Sequence, residues 1–142
     1  MRAFTLTEVV VVVGIFTGLL VLGLFMSIET LRGTIYRSEQ ATIVGMLGRA
    51  RSRAMNNIEQ SPWGFCYTEP NYIVFKGSVC NAAAAYEVTP VNMAVASSSG
   101  FASLSSIVFT QLSGTSTEAT ITVVQDGRNR IININNEGTI IW

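Results

Sequence analysis

The sequence predicts an α+β fold, a long N-terminal helix packed on a head of antiparallel β-strands. Three observations carry that prediction. Residues 9–28 form a run of 20 without a charge. Residues 29–58 then repeat apolar positions at the helical period. From Trp63 onward, short runs rich in β-branched and aromatic residues alternate with turn-forming residues. The chain has 142 residues, one ordinary domain in length, and only 13% are charged against about 25% in a typical soluble domain. Nine basic and nine acidic residues cancel, which disfavours a protein devoted to neutralising nucleic-acid phosphate. There is no histidine, which excludes Ser-His-Asp and Cys-His catalysis and any His-containing zinc site, and two cysteines cannot supply four thiolates.

The first element is the uncharged run, VVVVVGIFTGLLVLGLFMSI, in which Thr17 and Ser27 are the only hydroxyl residues. As a helix it extends roughly 30 Å, the thickness of a bilayer's hydrocarbon core. Five consecutive valines favour a strand, but a lone strand in lipid leaves its backbone unsatisfied, so a transmembrane helix is predicted. A cleaved secretory signal has an apolar region of roughly 7–15 residues and then a small-x-small site. This run is longer and continues into Glu29-Thr30-Leu31, so an uncleaved anchor fits better. Gly14-x-x-x-Gly18 gives packing latitude along the span.

The residues before the span are Met1-Arg2-Ala3-Phe4-Thr5-Leu6-Thr7-Glu8, with a carboxylate at the edge of the hydrocarbon. Such a group is costly there unless something pairs with it. The string resembles the class III signal of type IV pilins and pseudopilins, typically Gly-Phe-Thr-Leu-Ile-Glu before an apolar helix. The resemblance implies a prepilin peptidase that cuts between Ala3 and Phe4 and methylates the new N-terminus at Phe4. It also implies that Glu8 meets the α-amino group of a neighbour's Phe4 and sets the register between subunits. On the residues alone, Glu8 can equally snorkel to headgroups as part of an ordinary anchor. Ala3 replaces the usual Gly, Thr7 the common Ile, the leader is three residues, and no proline interrupts the span. Implied partners are other pilin or pseudopilin subunits in a filament, the peptidase and an inner-membrane assembly platform. The implied location is the bacterial cytoplasmic membrane, crossed once with the C-terminal head exported, and then a periplasmic or cell-surface filament. The resulting division is a leader (1–3), a transmembrane or filament-core half-helix (4–28), an amphipathic half-helix (29–60) and a β-rich head (61–142).

In the second half-helix, Ile43, Met46, Leu47, Ala50, Ala54 and Ile58 recur at three- and four-residue steps, ended by Asn56-Asn57 and Ser61-Pro62. A continuous helix over residues 4–58 is roughly 80 Å long. Arg49, Arg51 and Arg53 read as a solvated face, since acids after the span cancel them. The string Ala50-Arg51-Ser52-Arg53-Ala54 resembles the helix end of GspH/FimT-type minor pilins, which carry Ala-Arg-x-x-Ala before a β-rich head.

Strands are predicted at 63–68 and 72–76, around the turn Glu69-Pro70-Asn71, and at 106–111, 119–125, 130–135 and 139–142. Residues 81–100 read as a loop with one short strand. Asp126-Gly127 is a two-residue hairpin signal, and Asn136-Glu137-Gly138 makes a second turn. The last four strands are expected to form one antiparallel meander, with 131–134 against the helix.

Cys66 and Cys80 lie 14 apart across the first hairpin. The exported location that the resemblance implies favours a disulfide; the alternative is two reduced, buried thiols. No catalytic constellation is visible and no cofactor or metal is called for. Asp126 is the only Asp, Lys76 the only Lys, the glutamates are dispersed, and phosphate-loop and serine-nucleophile motifs are absent. Gly127-Arg128-Asn129-Arg130 resembles a DNA-contacting Gly-Arg-x-Arg string near the C-terminus of FimT-like competence pilins. The family string follows the last strand, where this chain has Gly138-Thr139-Ile140-Ile141 with no cation. Arg128 and Arg130 therefore carry two readings, contact with a nucleic-acid backbone or a polar turn that keeps a sheet edge soluble. The sequence thus points first to a structural minor pilin or pseudopilin of a type IV pilus, type II secretion or competence filament. Behind it stand a DNA-uptake pilin and a monomeric membrane-anchored domain.

Overall fold

The structure is a computed structural model that describes residues 5–91, 106–125 and 128–142. It is an α+β chain with an apolar N-terminal helix and antiparallel sheets. The order is α1 (Leu6–Met55), β1 (Trp63–Thr68), β2 (Asn71–Lys76), β3 (Ala85–Pro90), β4 (Ile107–Phe109), β5 (Ala119–Gln125), β6 (Arg128–Ile134) and β7 (Ile140–Ile141). Single 3₁₀ turns lie at Ile58–Gln60 and Ala82–Ala84. The chain divides into two units, Met1–Thr34 and Ile35–Trp142. The second half of α1 therefore belongs to the same unit as the strands.

Within that unit, Ile43, Met46, Leu47, Ala50 and Ala54 are completely buried, as their helical spacing predicts. They meet Trp63, Phe65, Tyr72 and Val74 of β1 and β2, Ile107 and Phe109 of β4, and Ile121, Val123, Ile132 and Ile134 of β5 and β6. Alternation along β6 assigns the faces: Ile132 and Ile134 are buried, while Ile131 is 52% exposed. Only half of the expected 131–134 apolar run thus faces the core.

Two antiparallel sheets form, ordered β3-β2-β1-β4 and β5-β6-β7. The expected four-stranded meander is therefore three-stranded, and β4 pairs instead with β1, Phe109 opposite Trp63. The β4–β5 connection explains this. Leu112 N–H donates to the Ala54 carbonyl at the end of α1 (2.9 Å), and the connection passes that helix end before reaching the second sheet. A direct hairpin would leave both groups without those partners. β3 pairs with β2 and is the one short strand expected within 81–100, of which residues 92–100 lie outside the described residues. Gln125 pairs with Arg128; the Asp126-Gly127 hairpin signal between them lies outside the described residues. The turn 136–138 forms as expected, with Gly138 at φ +72 and its N–H on the Asn135 carbonyl. A Cβ at Gly138 would collide with the Gly114 carbonyl, so close approach as well as φ requires glycine there.

The helix ends at Met55 rather than near Ile58, because Asn57 takes the left-handed conformation (φ 53) that Asn tolerates at helix C-termini. A second, smaller cluster lies on the other face of the first sheet: Cys66, Ile73 and Phe75, with Cys80, Ala85 and Val108 packed against it.

Candidate functional site

At the N-terminus, Ala3 and Phe4 lie outside the described residues. Thr5 precedes α1 and Glu8 lies in its first turn. The Glu8 carboxylate accepts the Thr5 N–H (3.0 Å) and the Thr5 hydroxyl (2.8 Å), and the Glu8 N–H donates back to the Thr5 hydroxyl (3.4 Å). This is a capping box, and Thr5-x-x-Glu8 before an apolar run is its sequence signature. Sequence reasoning assigned Glu8 to a neighbouring chain and missed its use within its own.

The segment that follows, Leu6–Gly23, is long and apolar enough to cross a membrane, and none of it is buried by the rest of the chain. Leu6, Phe16, Leu20 and Leu22 are each more than 60% exposed. The Thr17 hydroxyl donates to the Val13 carbonyl (2.8 Å), so it adds no unpaired polar group to the segment. A Cβ at Gly14 or Gly18 would meet nothing within 4 Å, which leaves both positions open to a close neighbour.

The other unit carries a polar seam where α1 crosses its sheets. Glu39 and Gln40 are buried (6% and 5% exposed) among apolar residues. The Tyr72 phenol is buried beside the Glu39 carboxylate; burial, then the charge of Glu39 and its hydrogen bond, push the phenol well above the usual tyrosine range. Tyr67, opposite Tyr72 in the β1–β2 pairing, is also raised, by partial burial and then by Glu69. Arg130 donates through Nη1 to Gln40 Oε1 (3.2 Å). A signal for this seam was present in the sequence: Glu39 falls four residues before Ile43, on the apolar face.

Of the two arginines singled out for nucleic acid, Arg130 lies inside β6 opposite Val123, not on a turn, and is engaged on α1 through Gln40. Arg128 opens the same strand, and its side chain lies outside the described residues. The three helix arginines are not a solvated face. Arg49 pairs with Glu87 of β3 (2.8 Å). Arg53 stacks over Tyr86 (3.6 Å to the ring centroid) and Trp63 (5.0 Å). Arg51 donates to the Glu137 carbonyl (3.0 Å). The two-residue step between them sends alternate arginines to opposite sides, Arg49 and Arg53 to β3 and Arg51 to the β6–β7 turn, so the helix is fastened to both sheets. Tyr86 reaches Arg53 because the β2–β3 register slips beside it, and a bulge re-aims the extra residue.

Cys66 and Cys80 form a disulfide, with Cα atoms 6.2 Å apart. It closes the β2–β3 connection over the smaller apolar cluster, and a loop of this length stabilises a fold by roughly 3 kcal/mol. Lys76 ends β2 and pairs with Glu59 (2.7 Å). Among the described residues no three His, Cys, Asp or Glu side chains gather as a metal site. The arrangement therefore provides an unburied apolar helical segment with a capped acidic start, and a disulfide-closed head fastened to the rest of that helix. Comparison of the chain with protein-family models, with curated proteins and with solved structures returns no match.

Proposed function

We propose that this chain is a structural subunit, a minor pilin or pseudopilin, of a type IV pilus, type II secretion or competence filament. One observation carries the reading. The string Phe4-Thr5-Leu6-Thr7-Glu8 heads an apolar helical segment, Leu6–Gly23, whose surface the chain itself leaves entirely unburied. Each Val, Leu or Phe there is 47–81% exposed and forgoes a corresponding share of the roughly 1.5–3 kcal/mol that full burial brings. Lipid covers that surface before assembly, and the same segment of neighbouring copies covers it afterwards. The capping box gives Glu8 a partner while the chain is alone. In the filament the carboxylate exchanges Thr5 for the α-amino group of a neighbour's Phe4, so it is paired in both states. With the Arg130 guanidinium engaged on Gln40, this reading stands ahead of DNA contact.

The test is the N-terminus of the chain in cells with an active prepilin peptidase. Mass analysis is expected to find a chain that begins at N-methylated Phe4. A chain that keeps Met1 there overturns the proposal and leaves an ordinary membrane anchor.

A further inference from the structure

We infer that a groove between α1 and β7 is a binding site for a pyranose-type glycan chain. The groove has a volume of about 470 Å³, within the range of about 300–1,000 Å³ that small-molecule sites occupy. One wall is the helix stripe Val44, Gly48, Ser52 and Met55 with Asn56 beside it; the other is Thr139, Ile140 and Trp142. From Val44 to Asn56 the helix rises about 18 Å, so the groove suits a chain of several rings rather than one.

Three features select the ligand. Trp142 is 69% exposed at the groove and brings a large flat apolar ring to it. Such a face is covered well by the C–H face of a pyranose, and an indole keeps an N–H to donate at its edge. Next, the polar groups along the groove keep unused hydrogen-bonding capacity of both kinds. Asn56 donates through Nδ2 to the Ser52 carbonyl (2.8 Å) and to the Ser52 hydroxyl oxygen (3.2 Å). Its Oδ1 remains an acceptor and the Ser52 hydroxyl remains a donor, and among the described residues the Thr139 hydroxyl has no partner. A sugar hydroxyl both donates and accepts, so a row of them satisfies this lining. An apolar helix from a second copy would strip water from the same groups and return nothing. Finally, Arg51 is the one charged side chain lining the groove; its Nη2 donates to the Glu137 carbonyl (3.0 Å) and its Nε is buried, so both nitrogens of that edge are withdrawn from a ligand. The groove thus offers no Nε–Nη2 fork for two-point capture of an anion, and an uncharged glycan fits its remaining lining. The inference does not depend on whether the chain assembles into a filament.

The test uses the full chain in a detergent without a sugar headgroup, titrated with cellohexaose and with chitohexaose. Emission reports binding at Trp142, since the other tryptophan, Trp63, is only 1% exposed. At least one hexasaccharide is expected to shift the emission saturably. Trp142→Ala is expected to weaken binding on the order of tenfold or more, read by calorimetry. Gly48→Leu is the second variant. A Cβ at Gly48 meets nothing within 4 Å, and leucine raises helix propensity, so this variant fills the groove without disturbing the core. It is expected to abolish binding with a thermal midpoint no lower than that of the parent chain. Failure of both hexasaccharides to bind at millimolar concentration overturns the inference, as does equal binding by Gly48→Leu. A change in self-association with Gly48→Leu, without sugar binding by the parent chain, overturns it in favour of a second copy as the occupant.

Discussion

Leu6–Gly23 and the residues from Ile35 to Met55 belong to one helix yet bury their apolar surface in opposite ways. In the first segment every residue is exposed and apolar positions occur on all sides. In the second, five apolar residues recurring along one face are fully buried, and the exposed positions are mostly small, polar or charged. Backbone hydrogen bonding is the same in both, so the difference lies in what surrounds the side chains. The second segment gains its stability from packing inside its own chain. The first has apolar surface but no partner among the described residues, so its burial has to come from outside the chain.

The largest expected effect tests that contrast directly. Leu47→Ala should destabilise the unit Ile35–Trp142 by about 3 kcal/mol, as fully buried leucines do. Leu19→Ala should leave the same unfolding transition within about 0.5 kcal/mol, because Leu19 is 61% exposed. Urea denaturation followed by near-UV dichroism measures both, and equal losses would break the comparison. Next comes the buried seam. Tyr72 has its phenol raised by burial and by Glu39, so the neutral phenol's contribution to stability is fully present below pH about 10 and falls as pH rises above that value. Tyr72→Phe is expected to flatten this alkaline loss and, at neutral pH, to cost roughly 1–3 kcal/mol by leaving Glu39 without the phenol. A pH series of thermal midpoints that is identical in the two proteins would remove the seam from the account. The smallest effect belongs to the exposed segment. Thr5→Val should cost about 0.5–1 kcal/mol by removing the cap. Amide exchange should quicken in the first turn of α1, with no change from Ile35 onward.

Particular residues show how much was legible in the sequence. The uncharged run and the Ile43–Ala54 periodicity follow from one-dimensional spacing, so the helix and its buried face could be read directly. The strands 63–68 and 119–125 were bounded correctly because turn residues flank them. The capping box was legible in Thr5-x-x-Glu8 and went unread behind a competing assignment for the same glutamate. Glu39 was legible too, as an acid on the apolar stripe, but nothing in the sequence names Tyr72 as its partner.

The sequence by itself determined the membrane-compatible segment, the helix, the kinds of strand and the absence of histidine chemistry. These depend on local composition and on periods of two and 3.6 residues. Only the tertiary structure decided that β4 leaves its expected meander to pair with β1, and that Arg49 and Arg53 fasten the helix to β3 while Arg51 fastens it to the β6–β7 turn. Tertiary structure likewise placed Trp142 across a groove from Asn56. Strand order and side-chain partners join residues up to 90 positions apart, as Gln40 and Arg130 do. Such pairs are selected by the packing of whole layers against one another, a quantity that no local window of sequence contains.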